Sequence, residues 1–478
     1  MDTYPLIIQG GMGAGISNWQ LAQSVSRLGQ LGVVSGTALD QILVRRLQDG
    51  DPGGHMRRGF DAFPMPFLSE PLWAKYFIPG GKAATAPYRT APKLMKDSPT
   101  EATLLCMISN FIEVFLARGG HDNPVGINYL EKIQTAHLPS IFGAMLAGVS
   151  YIIMGAGIPL KIPGVLDLFV NHCAAEYALH VTGALDTDDT TIRFNPRDFI
   201  KGEPASLLRP RFLAIVSSNT LATTMLRKAN GTVDGLVIEA PEAGGHNAPP
   251  RSRSNFSEAG EPIYGERDAV DFAKIRDLGV PFWLAGGYGR PGKLQEALEL
   301  GASGIQVGTA FEFADESGLS STFKQALIDK AMHGDSHIFT DPVASPTGFP
   351  FKVAQLEGTA SDLDVYVDRP RICDLGFLRE FYRAADGSIG NRCSAEPLSV
   401  YLSKGGNAAD AAGRKCLCNC LLANIGHPQV RSGHHVEPAM ITAGNDIGLI
   451  PQFLSAGASS YSAADVIERL LEPVMSGA

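Results

Sequence analysis

The sequence predicts an α/β protein, a (β/α)₈ TIM barrel with long insertions and a C-terminal extension. Two observations carry this prediction. About eight short, continuously apolar runs recur along the chain, and helical patterns separate most of them. Strands that read as unbroken apolar runs are typical of parallel sheets covered by helices on their faces. Eight such units favour a closed barrel over an open sheet.

The first apolar run is "LIIQ" and the last is "GIQVG". The predicted strands are 6–9, 32–35, 125–128, 150–154, 211–218, 234–239, 281–287 and 304–308. Helical patterns between them cover 19–28, 38–48, 129–148, 266–279 and 292–301.

Two insertions and one extension interrupt this alternation. Residues 51–99 are rich in Pro, Gly and aromatic residues and predict a long ordered excursion near the barrel mouth. Residues 161–209 contain a helical pattern over 164–181 and a polar turn. The barrel domain is therefore predicted over 1–340, with 341–478 as an extension that ends in a helix over 462–474.

Composition limits the partners and the compartment. The formal net charge is -9, so the chain lacks the basic footprint of a nucleic-acid-binding protein. No secretory signal is recognisable, and we expect no apolar stretch to be long enough to span a bilayer. Seven cysteines in 478 residues do not make a disulfide framework. These features predict a cytoplasmic protein without nucleic-acid or membrane partners.

The strand ends carry the candidate site, because TIM-barrel active sites form at the carboxyl ends of the strands. Gly286 and Gly287 follow the seventh predicted strand, and Gly308 and Thr309 follow the eighth. Glycine lets the backbone come close to a ligand, and this end of a barrel commonly binds phosphate. The two pairs together favour a phosphate site, although either pair alone could simply make a tight turn.

The first strand is followed by "GGMGAG", which differs from a dinucleotide fingerprint because no acidic residue ends a second strand at the expected place. These glycines could lie against the flat face of a ring, or they could form a flexible turn. His246 lies on a loop of small residues after the sixth strand, on the face where the phosphate site is predicted, and an imidazole can act there as a base. The other histidines lie in helical or linker contexts.

The segments "IIQGGMGAGIS", "VGINYL", "IEAPEAGGHNA" and "FWLAGGYGRPGKLQEALELGASGIQVGTAFEFADES" occur in this order within residues 1–340. Together they resemble the nitronate monooxygenase (2-nitropropane dioxygenase) family of FMN-dependent TIM-barrel enzymes. The resemblance implies an FMN phosphate at Gly286, Gly287, Gly308 and Thr309, and a ring beside Gly10, Gly11 and Met12. It also implies contacts from Asn128, Glu239 and Gly244, with His246 as the catalytic residue.

The family's reaction would oxidise a nitronate or nitroalkane to a carbonyl compound and nitrite with O₂. His246 would deprotonate a nitroalkane or stabilise the nitronate.

Two alternatives stay open. One is an FMN-dependent enoyl-thioester reductase that uses NAD(P)H, with 51–99 lining an acyl-chain channel. The other is a flavin-binding scaffold protein. A small-molecule substrate is expected for the oxidase and for the reductase, and a homodimer is possible.

The sequence departs from the family pattern in two ways. The turn "GGM" lacks the proline common in the family, and the insertions prevent the substrate from being carried over.

Five of the seven cysteines lie in the extension, three of them in "CLCNC". In an extended segment these three would share one face and, with Cys393, could ligate zinc or an iron–sulfur cluster. Paired ligands are usually separated by two residues, however, and the same run could form a half-buried helix in which cysteine is a small apolar residue. No metal ligand is therefore assigned.

Overall fold

The structure is a computed structural model that describes residues 4–98, 100–252, 255–432 and 435–475. The strands in these residues are numbered in chain order. They are β1 (Ile7–Gln9), β2 (Gly32–Ser35), β3 (Val125–Leu130), β4 (Tyr151–Gly155), β5 (Ala175–Ala178), β6 (Val181–Thr182), β7 (Thr191–Phe194), β8 (Arg211–Val216), β9 (Gly235–Glu239), β10 (Phe282–Ala285), β11 (Gly304–Val307), β12 (Ile338–Asp341), β13 (Phe351–Ala354), β14 (Glu380–Arg383) and β15 (Ile389–Arg392).

The helices of the same residues are α1 (Trp19–Arg27), α2 (Leu39–Gln48), α3 (His55–Ala62), α4 (Pro66–Tyr76), α5 (Thr100–Ala117), α6 (His137–Leu146), α7 (Ile162–Val170), α8 (Asn219–Lys228), α9 (Phe272–Arg276), α10 (Lys293–Glu299), α11 (Thr309–Glu312), α12 (Ser321–Met332), α13 (Leu363–Val367), α14 (Leu398–Ser403), α15 (Ala408–Ala411), α16 (Leu417–Asn424) and α17 (Ala463–Met475).

Eight parallel strands form the barrel, in the order β1-β11-β10-β9-β8-β4-β3-β2. A backbone bridge between Ile8 and Leu31 joins the two ends of this order. There Gln9 N–H donates to Leu31 O over 2.9 Å, and Leu31 N–H donates to Ile7 O over 3.0 Å. The eight predicted strands are the eight strands of the barrel, so the predicted fold class is confirmed.

The barrel strands are buried on both faces, which is why they read as continuous apolar runs. One set of side chains, including Val33, Ile153 and Trp283, fills the barrel interior. The indole Nε1–H of Trp283 donates to Pro5 O over 2.8 Å, which satisfies its polar group in the core. The opposite faces pack against the surrounding helices in one larger core.

Besides the helix predicted over 266–279, of which only Phe272–Arg276 is α-helical, two sequence-based predictions of secondary structure are wrong. The helix predicted over 164–181 ends at Val170, and β5 follows and pairs antiparallel with β7. Along β5, Ala175 and Tyr177 are buried while Glu176 and Ala178 are exposed, a period of two that is typical of a strand. In the second case, the helical pattern over 129–148 gives way to β3 at its start, and α6 begins only at His137.

Helix α5 was not among the predicted elements. Its 18 residues are long and apolar enough, by length and composition, to cross a membrane, which corrects the expectation that no stretch is. In this fold 78% of these 18 residues are buried inside the protein, where α5 packs against α1, α2 and α6. A core helix passes the same test of length and apolarity.

The insertion 51–99 contributes α3 and α4, which pack against α5 on the outside of the barrel. The extension returns to the barrel at its end. Helix α17 packs against α1 and α10, and Tyr461 Oη–H, just before it, donates to Ala310 O over 2.8 Å. The outer ring of helices is thus completed by the last helix of the extension.

Candidate active site

One cavity at the carboxyl ends of the barrel strands collects all the predicted site residues. It encloses about 1230 Å³ including its open mouth. The residues predicted from the sequence that line it are Gly10, Gly11, Met12, Asn128, Glu239, Gly244, His246, Gly286, Gly287, Gly308 and Thr309. They come from five different strand ends, because parallel strands of a barrel present their carboxyl ends at the same face.

One wall of the cavity is the turn after β1. A Cβ atom on Gly11 would lie 2.4 Å from the Cβ of Asn128, so this close approach requires glycine. The amide of Asn128 points to the same turn, with its Nδ2 atom 3.4 Å from Gly11 O. Met12 N–H donates to Ser17 Oγ over 2.9 Å, which fixes the turn. The result is a flat backbone surface beside an amide side chain.

The opposite wall is formed by the turn after β10. Gly286 and Gly287 have φ values of +87° and +74°, a conformation that disfavours other residues. Within the part of the chain that the structure describes, neither backbone N–H has a hydrogen-bond acceptor. Successive N–H groups in such a turn form a concave anion-binding surface. Gly308, at the start of the short helix α11, lines the cavity beside them.

Segment 442–446 of the extension forms a cover over these turns. Gly444 N–H donates to Thr309 Oγ1 over 2.9 Å, and Asn445 N–H donates to Glu242 O over 3.0 Å. Thr442 Oγ1 accepts a hydrogen bond from Gly245 N–H over 2.9 Å. The sequence analysis did not identify this segment as part of the site.

Two buried carboxyl groups lie at this end of the cavity. Burial, and then the nearby Asp446, raise the pKa of Glu312 to about 8. Burial also raises the pKa of Asp446, against a hydrogen bond from the Thr309 hydroxyl that lowers it. Glu312 Oε1 has no hydrogen-bond partner in the described structure. A carboxyl group that keeps its proton at neutral pH can donate a hydrogen bond to an anion.

His246 faces the cavity from the loop after β9, and the extension holds its ring. Its Nε2 atom lies 2.7 Å from Ser345 Oγ, and its ring centroid lies 4.8 Å from that of Phe351. Burial lowers the pKa of His246 to about 4. The imidazole is therefore neutral at physiological pH and can exchange only hydrogen bonds, or a proton with a strong acid.

Glu239 ends β9 next to the same cavity. Burial alone raises its pKa to about 7. A second cavity of about 1870 Å³, including open space, lies beyond it. Glu239 and His246 line both cavities, together with Ile215 and Tyr288.

No described residue of the insertion 51–99 lines either cavity, which corrects the expectation that this insertion reaches the substrate mouth. It lies on the outside of the barrel because α3 and α4 bury their apolar residues against α5. The substrate side of the site is formed instead by the loops after β8 and β9 and by residues around Phe349.

Known proteins resemble this chain in sequence over part of its length. The family model for nitronate monooxygenase matches residues 205–344. The nitronate monooxygenase of Pseudomonas aeruginosa is 33% identical over 136 residues, which are 28% of this chain and 34% of that protein. A probable nitronate monooxygenase of Staphylococcus saprophyticus is 30% identical over 123 residues, 25% of this chain and 33% of that protein. The matches span about a third of the length of these relatives.

Among solved structures, FabK from Thermotoga maritima aligns with a TM-score of 0.48 and 16% identity, over 99% of this chain and 94% of that one. A nitroalkane oxidase from Streptomyces ansochromogenes aligns with a TM-score of 0.48 and 16% identity, over 100% of this chain and 99% of that one.

Proposed function

We propose that this chain, whose residues 205–344 match the family model for nitronate monooxygenase, is a flavin-dependent oxidoreductase of that family and oxidises a nitronate with O₂ to a carbonyl compound and nitrite. FMN is the proposed cofactor. The observation that carries the proposal is the convergence of a glycine-walled anion site and His246 on one cavity at the barrel mouth.

The residues present fit FMN. The free N–H groups of Gly286 and Gly287 would hold the phosphate, with the protonated carboxyl of Glu312 as a further donor. The ring would lie against the turn at Gly11, where the cavity wall has no side chain, and Asn128 would supply a polar contact. When bound, the flavin supplies the electron transfer, while the protein orients the substrate and tunes the charge around it.

The neutral protonation state of the His246 imidazole favours a nitronate as the substrate over a neutral nitroalkane. An imidazole whose pKa is about 4 is a weak base at neutral pH, so removing a proton from carbon would be slow. A neutral imidazole can still orient an anion that already carries the charge. Ser345 Oγ holds the ring in one orientation through Nε2, which leaves the other edge of the ring for the substrate.

The second cavity favours one alternative, an FMN-dependent reduction of an enoyl thioester by NAD(P)H. This cavity lies beside His246 and opens to solvent, so the site has room for a substrate larger than a small nitronate. Apolar side chains such as Leu221 and Phe272 line this space, which would suit an acyl chain. The cavity serves equally as an entry path for a small substrate, so nitronate oxidation stays the first proposal.

We place this activity in the cytoplasm, with a small-molecule substrate and O₂ and without nucleic-acid or membrane partners. Association into a homodimer stays a prediction that analytical ultracentrifugation would test.

One set of assays separates the proposals. FMN-loaded protein is mixed with propionate-3-nitronate in air, and separately with NADPH and a crotonyl thioester without oxygen. We expect nitrite release that falls at least a hundredfold in His246→Ala and is unchanged in the exposed control His333→Ala. Flavin reduction by NADPH without nitrite from the nitronate would replace the first proposal by the second. Bound FMN without either activity would indicate a flavin-binding scaffold, and no flavin after reconstitution would exclude all three.

A further inference from the structure

Two cysteine side chains of the extension, Cys373 and Cys393, are in direct contact. Cys373 lies in the segment between α13 and β14, and Cys393 directly follows β15. The thiol of Cys393 donates a hydrogen bond to the sulfur atom of Cys373. Both side chains also line one narrow space, together with Cys416 and Cys418. The fold therefore brings together two thiols that belong to separate loops.

The two thiols differ in exposure and in the charges beside them. Cys373 is half-buried, so solvent reaches it, whereas Cys393 is buried. Two cations stand beside Cys373. Lys93 Nζ donates to Cys373 O over 2.8 Å, and Arg379 is held nearby because its Nε–H donates to Gly376 O over 2.7 Å. The hydrogen bond from Cys393 first, and then the two cations, outweigh burial and lower the pKa of the Cys373 thiol to about 7.

The other thiols around this space stay protonated at neutral pH. The contact with Cys373 first, and then burial, raise the pKa of Cys393 well above its ordinary value. Burial raises the pKa of Cys418 to about 12, and it raises the pKa of Cys416 as well. The thiolate is the nucleophilic form of cysteine. Cys373 is therefore the reactive sulfur atom, and Cys393 is the protonated thiol next to it.

Metal binding does not account for this contact. Within the ranges that the structure describes, no group of three or more His, Cys, Asp or Glu side chains is arranged to hold a metal ion. Metal ligands are thiolates, and three of the four thiols here keep their protons. A thiolate in contact with a second thiol is instead the arrangement from which a disulfide forms.

We propose that Cys373 and Cys393 are a peroxide-reactive thiol pair, in which Cys373 is oxidised first and Cys393 then closes a disulfide. The Cys373 thiolate attacks one oxygen atom of hydrogen peroxide. The S–O bond of a sulfenic acid forms, the O–O bond breaks, and the leaving hydroxide takes up the proton that Cys373 had released.

The second step joins the two sulfur atoms. Cys393 attacks the sulfur atom of the sulfenic acid, the S–S bond forms and the S–O bond breaks. The hydroxide that leaves takes the proton of Cys393. Two thiols are thus oxidised by two electrons, and one hydrogen peroxide is reduced to two molecules of water. The disulfide would link the segment after α13 to the end of β15.

This inference goes beyond the proposed function and does not depend on it. Neither Cys373 nor Cys393 lines the cavity at the barrel mouth. The chemistry needs only the two thiols and a hydroperoxide, so its test reads thiols rather than turnover.

The test is peptide mapping of the full chain, purified with a reductant that is then removed, before and after treatment with hydrogen peroxide. Trypsin places the two cysteines in separate peptides, 372–379 and 393–404, while the three cysteines of "CLCNC" share the peptide 416–431. We expect peroxide to join 372–379 to 393–404, with the loss of two of the seven thiols. Dithiothreitol should separate the two peptides again.

Two variants assign the roles within the pair. In Cys393→Ser the sulfenic acid of Cys373 has no thiol partner, so dimedone should label Cys373. In Cys373→Ser neither label nor disulfide should appear in the two peptides. Cys173 is exposed and is the control for access, and dimedone should label it at least tenfold more slowly than Cys373. Cys420→Ser, whose sulfur atom packs in an apolar cluster, should leave the disulfide unchanged.

Three outcomes would overturn the proposal. They are a full count of thiols after peroxide treatment, a disulfide that joins either peptide to 416–431, and labelling of Cys173 as fast as that of Cys373. If Cys393→Ser fails to fold, judged by circular dichroism, the peptide map of the wild-type chain decides the matter by itself.

Discussion

His246 Nε2 lies 2.7 Å from Oγ of Ser345, a residue 99 positions further along the chain. The imidazole stands on a barrel loop, and the hydroxyl that fixes it belongs to the extension. Ser345 Oγ in turn lies 2.8 Å from Thr347 Oγ1, so the contact is part of a short chain of hydroxyl groups. The extension therefore contributes to the orientation of the candidate catalytic residue and does not merely cover the barrel.

Replacing Ser345 tests this orientation. Ser345→Ala removes the hydrogen bonds of this hydroxyl with His246 and with Thr347, all between neutral groups, which should lower the free energy of unfolding by about 2 kcal/mol. Nitrite release should fall by roughly three- to tenfold, because the ring loses its fixed position. Steady-state assays and urea unfolding measure both effects. Ser388→Ala, at an exposed turn, is the control. A full rate in Ser345→Ala alongside an inactive His246→Ala would show that the serine has no orienting role.

The raised pKa of Glu312 predicts how the free energy of unfolding changes with pH. Its folded-state pKa of about 8 is above the ordinary 4.5, so the folded protein holds this proton more tightly than the unfolded chain. Stability is therefore lost as pH rises from about 4.5 to 8, by up to roughly 5 kcal/mol. Glu312→Gln should remove this loss, and the exposed control Glu299→Gln should not.

The same carboxyl group should control cofactor retention. Above pH 8 an ionised Glu312 would repel the phosphate, so the dissociation constant for FMN should rise. Flavin fluorescence between pH 6 and 9 measures this. The rise should be absent in Glu312→Gln, and an identical rise in that variant would mean that another group titrates.

The turn at Gly286 predicts a cofactor-binding defect that is separate from backbone strain. Gly286→Ala places a Cβ atom 2.8 Å from Ala240 O, at a φ of +87°. Gly292 has a similar φ of +81°, but a Cβ atom there meets nothing within 4 Å. Both alanine variants should lose about 1 kcal/mol of stability from strain. Only Gly286→Ala should also weaken FMN binding, by at least tenfold in a fluorescence titration. Equal weakening in both would point to strain alone.

A buried ion pair between Arg369 and Glu437 is expected to stabilise the extension. The guanidinium of Arg369 contacts Glu437, both are almost fully buried, and Arg431 joins Glu437 to Asp374. Arg369→Ala leaves a buried carboxylate with one partner fewer, so unfolding in urea should become easier by about 3 kcal/mol. Arg193→Ala, which breaks exposed pairs, should leave the urea midpoint unchanged. If the two variants unfold alike, the buried pair is not a structural support.

The barrel was predictable because its signal is local. Each parallel strand is buried on both faces and reads as an apolar run, which is why the strand at 235–239 is evident from "GLVI". The prediction failed where the period of burial along the chain changes from helical to that of a strand. The residues of β5 alternate between buried and exposed, and an uninterrupted helical interpretation across Val170 missed that change. Helix α5 is buried on nearly all sides, so it lacks the stripe that marks a surface helix.

The site was predictable only on the barrel side. Glycines and His246 directly follow strands, so the fold class alone directs attention to them. Ser345, Thr442 and Asp446 follow no barrel strand, and they reach the cavity through contacts between distant parts of the chain. For the cysteines of "CLCNC", the structure has the helical alternative, because α16 begins at Leu417 and buries Cys420.

The position of α17 has a consequence for synthesis. This helix packs against α1 and α10, so the barrel lacks its last outer helix until residue 463 and those after it have been made. The eighth barrel strand ends at Val307, which leaves roughly 150 residues still to be translated. At 5–20 residues per second this takes roughly 8–30 s. During that interval the apolar sides of α1 and α10 face water on the nascent chain, where a chaperone would have time to bind them.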